Sequence, residues 1–484
     1  MKRPDAEEEA FRQAGVQLDP HTLQDLRSLP GRMADIGYEE HRVAELLKLV
    51  TLTLRTFHHI PAYRRCLKGS GPLGTAIEFW LLQQSVGLNE LRACLGGPVI
   101  SALDRLGWLA LSEDGIRSRV ELYPAAGHYF FTDCYFKVAG EWPDQVYWLG
   151  GDSYQLAHAM PRSPRKRALD ICTGSGIHAI LARKHCQLSL GLDINPRALA
   201  FSQLNAALNG LHCSFELSDC YQAAGPEPFE QITLNPPFVP CPENIDELYR
   251  AGGGSGESVT EVVVRGLPEH LAPGGLFAMT TEAAITHDSS PLERMQRWLG
   301  SQGWGLAALC CNRFPVDSYV LPHALASIDY RPEDQVSEYE RWLEGYERQG
   351  ISAMVQGLFF AVRLPDGQPG WMAERWIHRP NQTMGGEVEE WLNSLQRWHS
   401  PQPPRGRAQL HPLVRAVYRG EEGAVVEFQD EHWSPKPLFL DPLGRETLDA
   451  LVDGQDLGEV SSQTDKRDAL GLLVREMVLR LPPD

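Results

Sequence analysis

The sequence predicts an α/β protein centred on a doubly wound parallel sheet, and three observations carry that expectation. Between residues 167 and about 282, apolar strand-like runs alternate with helical patterns. A glycine-rich turn, Asp170-Ile-Cys-Thr-Gly-Ser-Gly176, joins the first of these runs to the first helix. Polar residues suited to holding a ligand then follow strand after strand, which gathers them on one edge of the sheet.

The strands are read at 168–172 (ALDIC), 188–194 (LSLGLDI), 213–217 (CSFEL), 231–235 (QITLN) and 275–281 (GLFAMTT). IHAILARK and PRALAFSQLNAALNG read as helices between them. A sixth strand is expected at 305–311 and a seventh at 358–364. Between those two lies an insertion, 313–356, with the amphipathic run VSEYERWLEGYERQG.

At 484 residues the chain is too long for one ordinary core, and roughly two to four domains are expected. Residues 1–130 read as a helical, winged-helix-like domain: helices to about 68, then helix, turn, helix and a hairpin around Ser112-Glu-Asp-Gly115. Residues 131–166 read as a connector with strands near 129–134 and 145–149. The core spans 167–365. Residues 366–484 form a small α+β appendage with strand-like LVRAVYR, AVVEFQD and KPLFLD ahead of two helical runs.

Composition narrows the function. The chain is 43% hydrophobic and 22% charged, as in soluble globular proteins, and no apolar run reaches the ~18 residues of a membrane span. The start, MKRPDAEEEAFRQAG, lacks the apolar stretch of a secretory signal. The ten cysteines include no CxxC pair, which suggests reduced thiols in the cytoplasm and no structural metal. A net charge of −18 works against a broad phosphate-binding surface. The one basic cluster, Arg162-Ser-Pro-Arg-Lys-Arg167, reads as a solvated linker, with polyanion contact as the alternative. The second helix of the winged segment, near 98–106, carries only Asp104 and Arg105 as charges, which suits a structural or lid role better than DNA binding.

The chemistry lies at the strand ends. Glycines at 174 and 176 let backbone approach a ligand, and the following helix start presents free N–H groups. This turn alone would also suit a dinucleotide. The second strand ends at Asp193, where a carboxylate can accept from both ribose hydroxyls. Ser218-Asp219 follows the third strand, and an acid there can take an adenine amino group, with Cys220 and Tyr221 near the ring. The fourth strand ends in Asn235-Pro236-Pro237-Phe238.

With these residues in view, segment 167–282 resembles the class I S-adenosylmethionine-dependent methyltransferases, whose sheet is Rossmann-like. The NPPF tetrad makes it similar to the branch that methylates nitrogen in release-factor glutamine, in purine amines and in some small amines. The resemblance implies S-adenosyl-L-methionine as cofactor, held by Asp170, Thr173, Gly174, Gly176, Asp193, Ile194, Asp219, Cys220 and Asn235. It implies that the Asn235 oxygen and the Pro236 carbonyl accept the two N–H bonds of the acceptor, while Phe238 stacks on its plane. Pro237, Tyr249, Arg250 and Glu257 are further candidates for contact with the acceptor. Cys172 departs from the pattern by replacing the usual first glycine of the loop.

The order of N-terminal domain, core and appendage also resembles bacterial multidomain methyltransferases, through LGGDSYQLAHAM (149–160) and WLEGYERQGISAMVQGLFFAVRL (342–364). The expected acceptor is a small molecule, peptide or protein nitrogen. An RNA or DNA base is the alternative, and a non-catalytic cofactor-binding regulator a third reading. No membrane partner is expected, and the default assembly is a monomer or homodimer.

Overall fold

The computed structural model describes residues 19–134, 144–241, 252–327, 331, 333–365, 367–378, 380, 382–402, 404–429, 433 and 436–482. Among them the central sheet has eight strands: β1 Arg165–Ile171, β2 Cys186–Asp193, β3 Ser214–Leu217, β4 Phe229–Leu234, β5 Leu271–Thr286, β6 Trp304–Pro315, β7 Ile351–Arg363 and β8 Trp371–Trp376. Their spatial order is 3-2-1-4-5-7-6-8. The chain starts in the middle at β1, winds out to β3 and returns to β4, so β1 and β4 flank the switch point. Leu169, Ile171, Leu192, Ile232, Leu234 and Phe277 are buried, as strands covered on both faces require.

Helices α1 Gly151–Ala159, α2 Ile177–Ala182, α3 Pro196–Leu208, α4 Ser258–His270, α5 Pro291–Leu299, α6 Val316–Ser327, α7 Gln335–Arg348 and α8 Gly385–Trp398 surround it. Val263, Val264 and Leu267 of α4 and Met295 of α5 pack with Phe277 and Leu306. Leu156 of α1 and Trp391 and Leu392 of α8 join Leu358 and Phe360 in a separate cluster.

Two features differ from the expected parallel sheet ending near 365. β7 runs antiparallel to both β5 and β6, so the sheet is mixed. Antiparallel neighbours need no crossover. The β6–β7 connection therefore leaves and returns at one end of the sheet, and its helices α6 and α7 stand over that end instead of covering a face. The sheet also continues into β8, parallel to β6. Its alternation of buried Trp371, Ala373 and Arg375 with exposed partners is short and carries two charges, which hides an edge strand in sequence.

Helices Leu88–Leu95 and Gly97–Arg105 precede a hairpin of 109–112 with 115–118. The second helix is turned inward: Val99, Ala102 and Leu103 are buried, and Arg105 pairs with Asp25 at 2.6 Å. The three arginines of the basic cluster have partners within the fold, and Lys166 is exposed. Arg162 donates to the carbonyls of Ala157 and Leu181, Arg165 to that of Glu230, and Arg167 pairs with Glu227.

The N-terminal elements and α3 share one core. Trp108 stacks on Phe201 at 5.6 Å, and the Asn205 amide accepts from Phe131 N–H while donating to the carbonyls of Phe131 and Ser175. Arg197 forks onto Asp133 at 2.6 and 3.0 Å, both side chains buried, and Asp133 also accepts from Val146 N–H. These bonds fix residues 144–150 against the core. At the other end, strands 414–420, 423–428 and 438–440 with three helices form a separate small core, docked through Trp391 Nε1 on the Arg475 carbonyl.

Removing one member of a buried ion pair leaves the other charge stranded, at a cost of about 3–5 kcal/mol. Asp133→Ala is expected to lower stability by that amount in chemical denaturation.

Candidate active site

The glycine-rich turn leaves β1 with three left-handed residues: Cys172 (φ +56°), Gly174 (φ +53°) and Gly176 (φ +82°). A Cβ on Gly176 would also come within 3.0 Å of Ser202 Oγ. Cys172 therefore holds a conformation that glycine would adopt without strain. Beneath the turn lies Asp170, 1% exposed. Its carboxylate accepts from Thr173 Oγ1 (2.6 Å), Thr233 Oγ1 (2.8 Å) and Ala179 N–H (3.2 Å). Burial pushes this carboxyl up to about 7 against the pull of those donors. Asp170 and Gly176 thus shape the turn from behind and do not line the cavity described below.

At the end of β2, Asp193 accepts from the N–H groups of Gly174 (2.8 Å) and Asn195 (2.9 Å). Burial raises its pKa, and the backbone donors oppose that shift. Ile194 beside it is 55% exposed, an apolar surface facing the cavity. Asp219 is exposed at the end of β3, next to Cys220, which is also left-handed (φ +48°). Tyr221, expected near the same ring, turns away: its hydroxyl donates to the Val263 carbonyl and its ring stacks on His270 at 4.0 Å.

The tetrad follows β4. The Asn235 Nδ2 donates to Asp152 Oδ2 at 2.7 Å and to Ser153 Oγ at 3.3 Å. Phe238 packs beside Tyr319, Trp342 and Tyr346 of the α6–α7 cluster.

One cavity of about 1060 Å³ opens along these strand ends. Pockets for a single small molecule run to roughly 300–1,000 Å³, so the volume accommodates a donor and part of an acceptor. Thr173, Gly174, Asp193, Ile194, Asp219 and Cys220 lie toward β1–β3, and Asn235, Pro236, Pro237 and Phe238 lie at the middle strand. Glu282, Phe314, Tyr319, His323 and Gln356 lie toward β5–β7. Residues 145–149 and Asp152 close it from the N-terminal side.

Sequence reading did not find the Glu282 network on the β5–β7 side. Glu282 accepts from Tyr319 Oη (2.7 Å) and Gln356 Nε2 (2.8 Å), and no spacing links three residues so far apart in the chain. Glu257, expected at the acceptor, is spent elsewhere. Arg294 forks onto it at 2.5 and 2.7 Å, an ion pair that anchors the start of α4 outside the cavity lining. Tyr249 and Arg250 lie outside the described residues.

Residues 151–297 match the methyltransferase small domain family, and residues 36–119 match a domain of unknown function. Similar relatives include a protein of Methanocaldococcus jannaschii assigned as a protein N5-glutamine methyltransferase, 28% identical over 31% of this chain and 79% of that one. The release factor glutamine methyltransferase of Koribacter versatilis is 35% identical over 28% of this chain and 52% of its own length. The ribosomal protein uL3 glutamine methyltransferase of Bradyrhizobium diazoefficiens is 34% identical, over 28% and 47%. The chain thus spans about half the length of two of these relatives. A ribosomal protein L11 methylase from Lactobacillus delbrueckii overlaps 29% of the chain and 61% of its own at 20% identity, with a TM-score of 0.22 that adds nothing to the assignment. Residues 151–297 thus carry a methyltransferase small domain on the Rossmann-like sheet of the class I S-adenosylmethionine-dependent methyltransferases.

The turn geometry makes a direct prediction. An L side chain in the left-handed region costs about 1–2 kcal/mol. Gly176→Ala is expected to lose at least that much stability, because Ser202 must also give way, whereas Cys172→Gly is expected to lose none. Thermal denaturation of the two variants distinguishes them.

Proposed function

We propose that the protein transfers a methyl group from S-adenosylmethionine to the side-chain amide nitrogen of a protein acceptor. One observation carries this reading: a single cavity runs from Asp193 and Asp219 past Asn235 to Glu282 and Tyr319. The tetrad at the end of β4 lies between the donor side and the acceptor side. The relatives named for glutamine methylation support an amide in a protein as the acceptor class.

The chemistry of the donor side fits the cofactor. Asp193, held by two backbone N–H groups, is poised to accept from ribose hydroxyls. Ile194 offers an apolar surface for a purine, and Asp219 an acceptor for an exocyclic amine. Gly174 lets the turn approach the cofactor closely. S-adenosylmethionine, when bound, supplies an electrophilic methyl group. The protein's task is then to present the nitrogen.

An amide nitrogen is a poor nucleophile because its lone pair is delocalised. Acceptors placed on its N–H bonds counter this by favouring the positive charge that develops on nitrogen. The Asn235 oxygen and the Pro236 carbonyl take that role. The two prolines stiffen the turn and remove competing N–H donors. Phe238 provides a flat wall for the planar amide.

The charge of the lining argues against nucleic acid. Its ionisable groups include the carboxylates of Asp152, Asp193, Asp219 and Glu282, with no Lys or Arg among the described residues. Such a wall repels phosphate and tolerates a neutral amide or a cation. The free cysteines fit a reducing cytoplasm, where a translation protein would be met.

Labelled methyl groups from S-adenosylmethionine should enter a cell extract in material destroyed by protease and resistant to nuclease, and exhaustive enzymatic digestion should release N-methylated glutamine. Label confined to nucleic acid would overturn the acceptor. Asn235→Ala is expected to cut turnover by about 10²–10³ while binding S-adenosylhomocysteine normally. Asp193→Ala is expected to weaken that binding by about 10–100-fold, the value of hydrogen bonds to a charged group; calorimetry measures both.

A further inference from the structure

The two ends of the Asn235 amide are nearly alike in size but opposite in hydrogen bonding. Which end faces the cavity decides whether the residue accepts or donates there. In Asn235 that orientation is imposed from the N-terminal wall of the cavity, where Asp152 lies. An ionised carboxylate accepts only, so Asp152 Oδ2 at 2.7 Å selects Nδ2 and leaves the amide oxygen for a donor on the substrate. Ser153 Oγ accepts a second, longer bond from Nδ2 at 3.3 Å.

Asp152 is itself well fixed. It lies in the first turn of α1, 7% exposed, and its other oxygen accepts from Tyr147 Oη at 3.1 Å. A side chain at Gly150 would collide with that hydroxyl and with Asp152 Oδ1, so glycine is needed for the close approach. Residues 144–150 are in turn tied to α3 through Asp133 and Arg197. The orientation of a side chain just after β4 is therefore set by a segment that precedes the sheet.

We propose that Asp152 is the positioning residue of the acceptor site, locking Asn235 as a hydrogen-bond acceptor so that the site takes only a nitrogen bearing hydrogen. The inference rests on the function proposed above. A negative charge behind Asn235 also polarises its amide, adding electron density at the oxygen where the acceptor's N–H points. A carboxylate or carbonyl oxygen brought to the same place would meet a like dipole.

A reciprocal exchange tests this in the full-length protein. Asn235→Asp alone sets two carboxylates against each other and should lose about 100-fold or more in rate. Asp152→Asn alone frees the Asn235 amide to turn and should lose about tenfold. The double variant Asp152→Asn/Asn235→Asp restores one amide donor facing one carboxylate, with an oxygen left for a donor on the substrate. It should recover at least about tenfold over Asn235→Asp, a coupling that a merely structural Asp152 would not produce.

The rate is the entry of labelled methyl into cell extract, and folding is checked by S-adenosylhomocysteine binding. The absence of recovery overturns the positioning role, and so does loss of binding by the double variant, since the exchange keeps size and shape. Label found in nucleic acid overturns the protein acceptor alone, because the exchange can be read on that product. A wild-type protein that labels nothing overturns both.

Discussion

The Asp170 carboxylate joins three elements at one point: the turn after β1 through Thr173, β4 through Thr233 and α2 through Ala179 N–H. The switch point of the sheet runs between β1 and β4, which pair directly, and this carboxylate adds a side-chain bond across them. A buried acid is costly unless its lone pairs are filled, and here three donors fill them. The turn can then spend its own N–H of Gly174 on Asp193, which fixes the end of β2 in the same frame. Donor-side geometry thus follows from one buried group that never reaches the cavity.

The acceptor side is built by a different constraint. Because β7 is antiparallel to its neighbours, the β6–β7 connection returns to the end it left, and α6 and α7 form a roof there. Tyr319 descends from that roof to Glu282 on β5, and Gln356 reaches the same carboxylate from β7. From the opposite side residues 144–153 close the cavity, held by the buried Arg197–Asp133 pair. The shared core of the N-terminal elements and α3 makes this wall part of the site rather than an attached module.

Much of the fold was legible because its strands are buried on both faces and its parallel windings alternate with helices. The strands read at 168–172, 188–194, 213–217 and 231–235 correspond to β1–β4. Strand β8 was not legible, since an edge strand alternates apolar with charged residues over only six positions. Glu257 looked like a substrate contact because it sits in a glycine-rich segment after the tetrad. Its fate depended on Arg294, which folding alone brings beside it. Asp170 read as a cofactor contact from its place in the motif, yet depth below the surface is not encoded in a motif.

What the amino-acid sequence determined by itself was the local chemistry of each strand end: left-handed glycines at 174 and 176, a carboxylate at 193, a stiff Asn-Pro-Pro-Phe turn at 235–238. Those properties follow from backbone sterics and side-chain type within a few residues. What only the tertiary structure decided was how those ends are aimed. The orientation of the Asn235 amide depends on Asp152, 83 residues earlier in the chain, and the acceptor wall depends on three residues from β5, α6 and β7. Hydrogen bonds are set by distance and angle between partners, and such distances exist only once the windings of the sheet have closed.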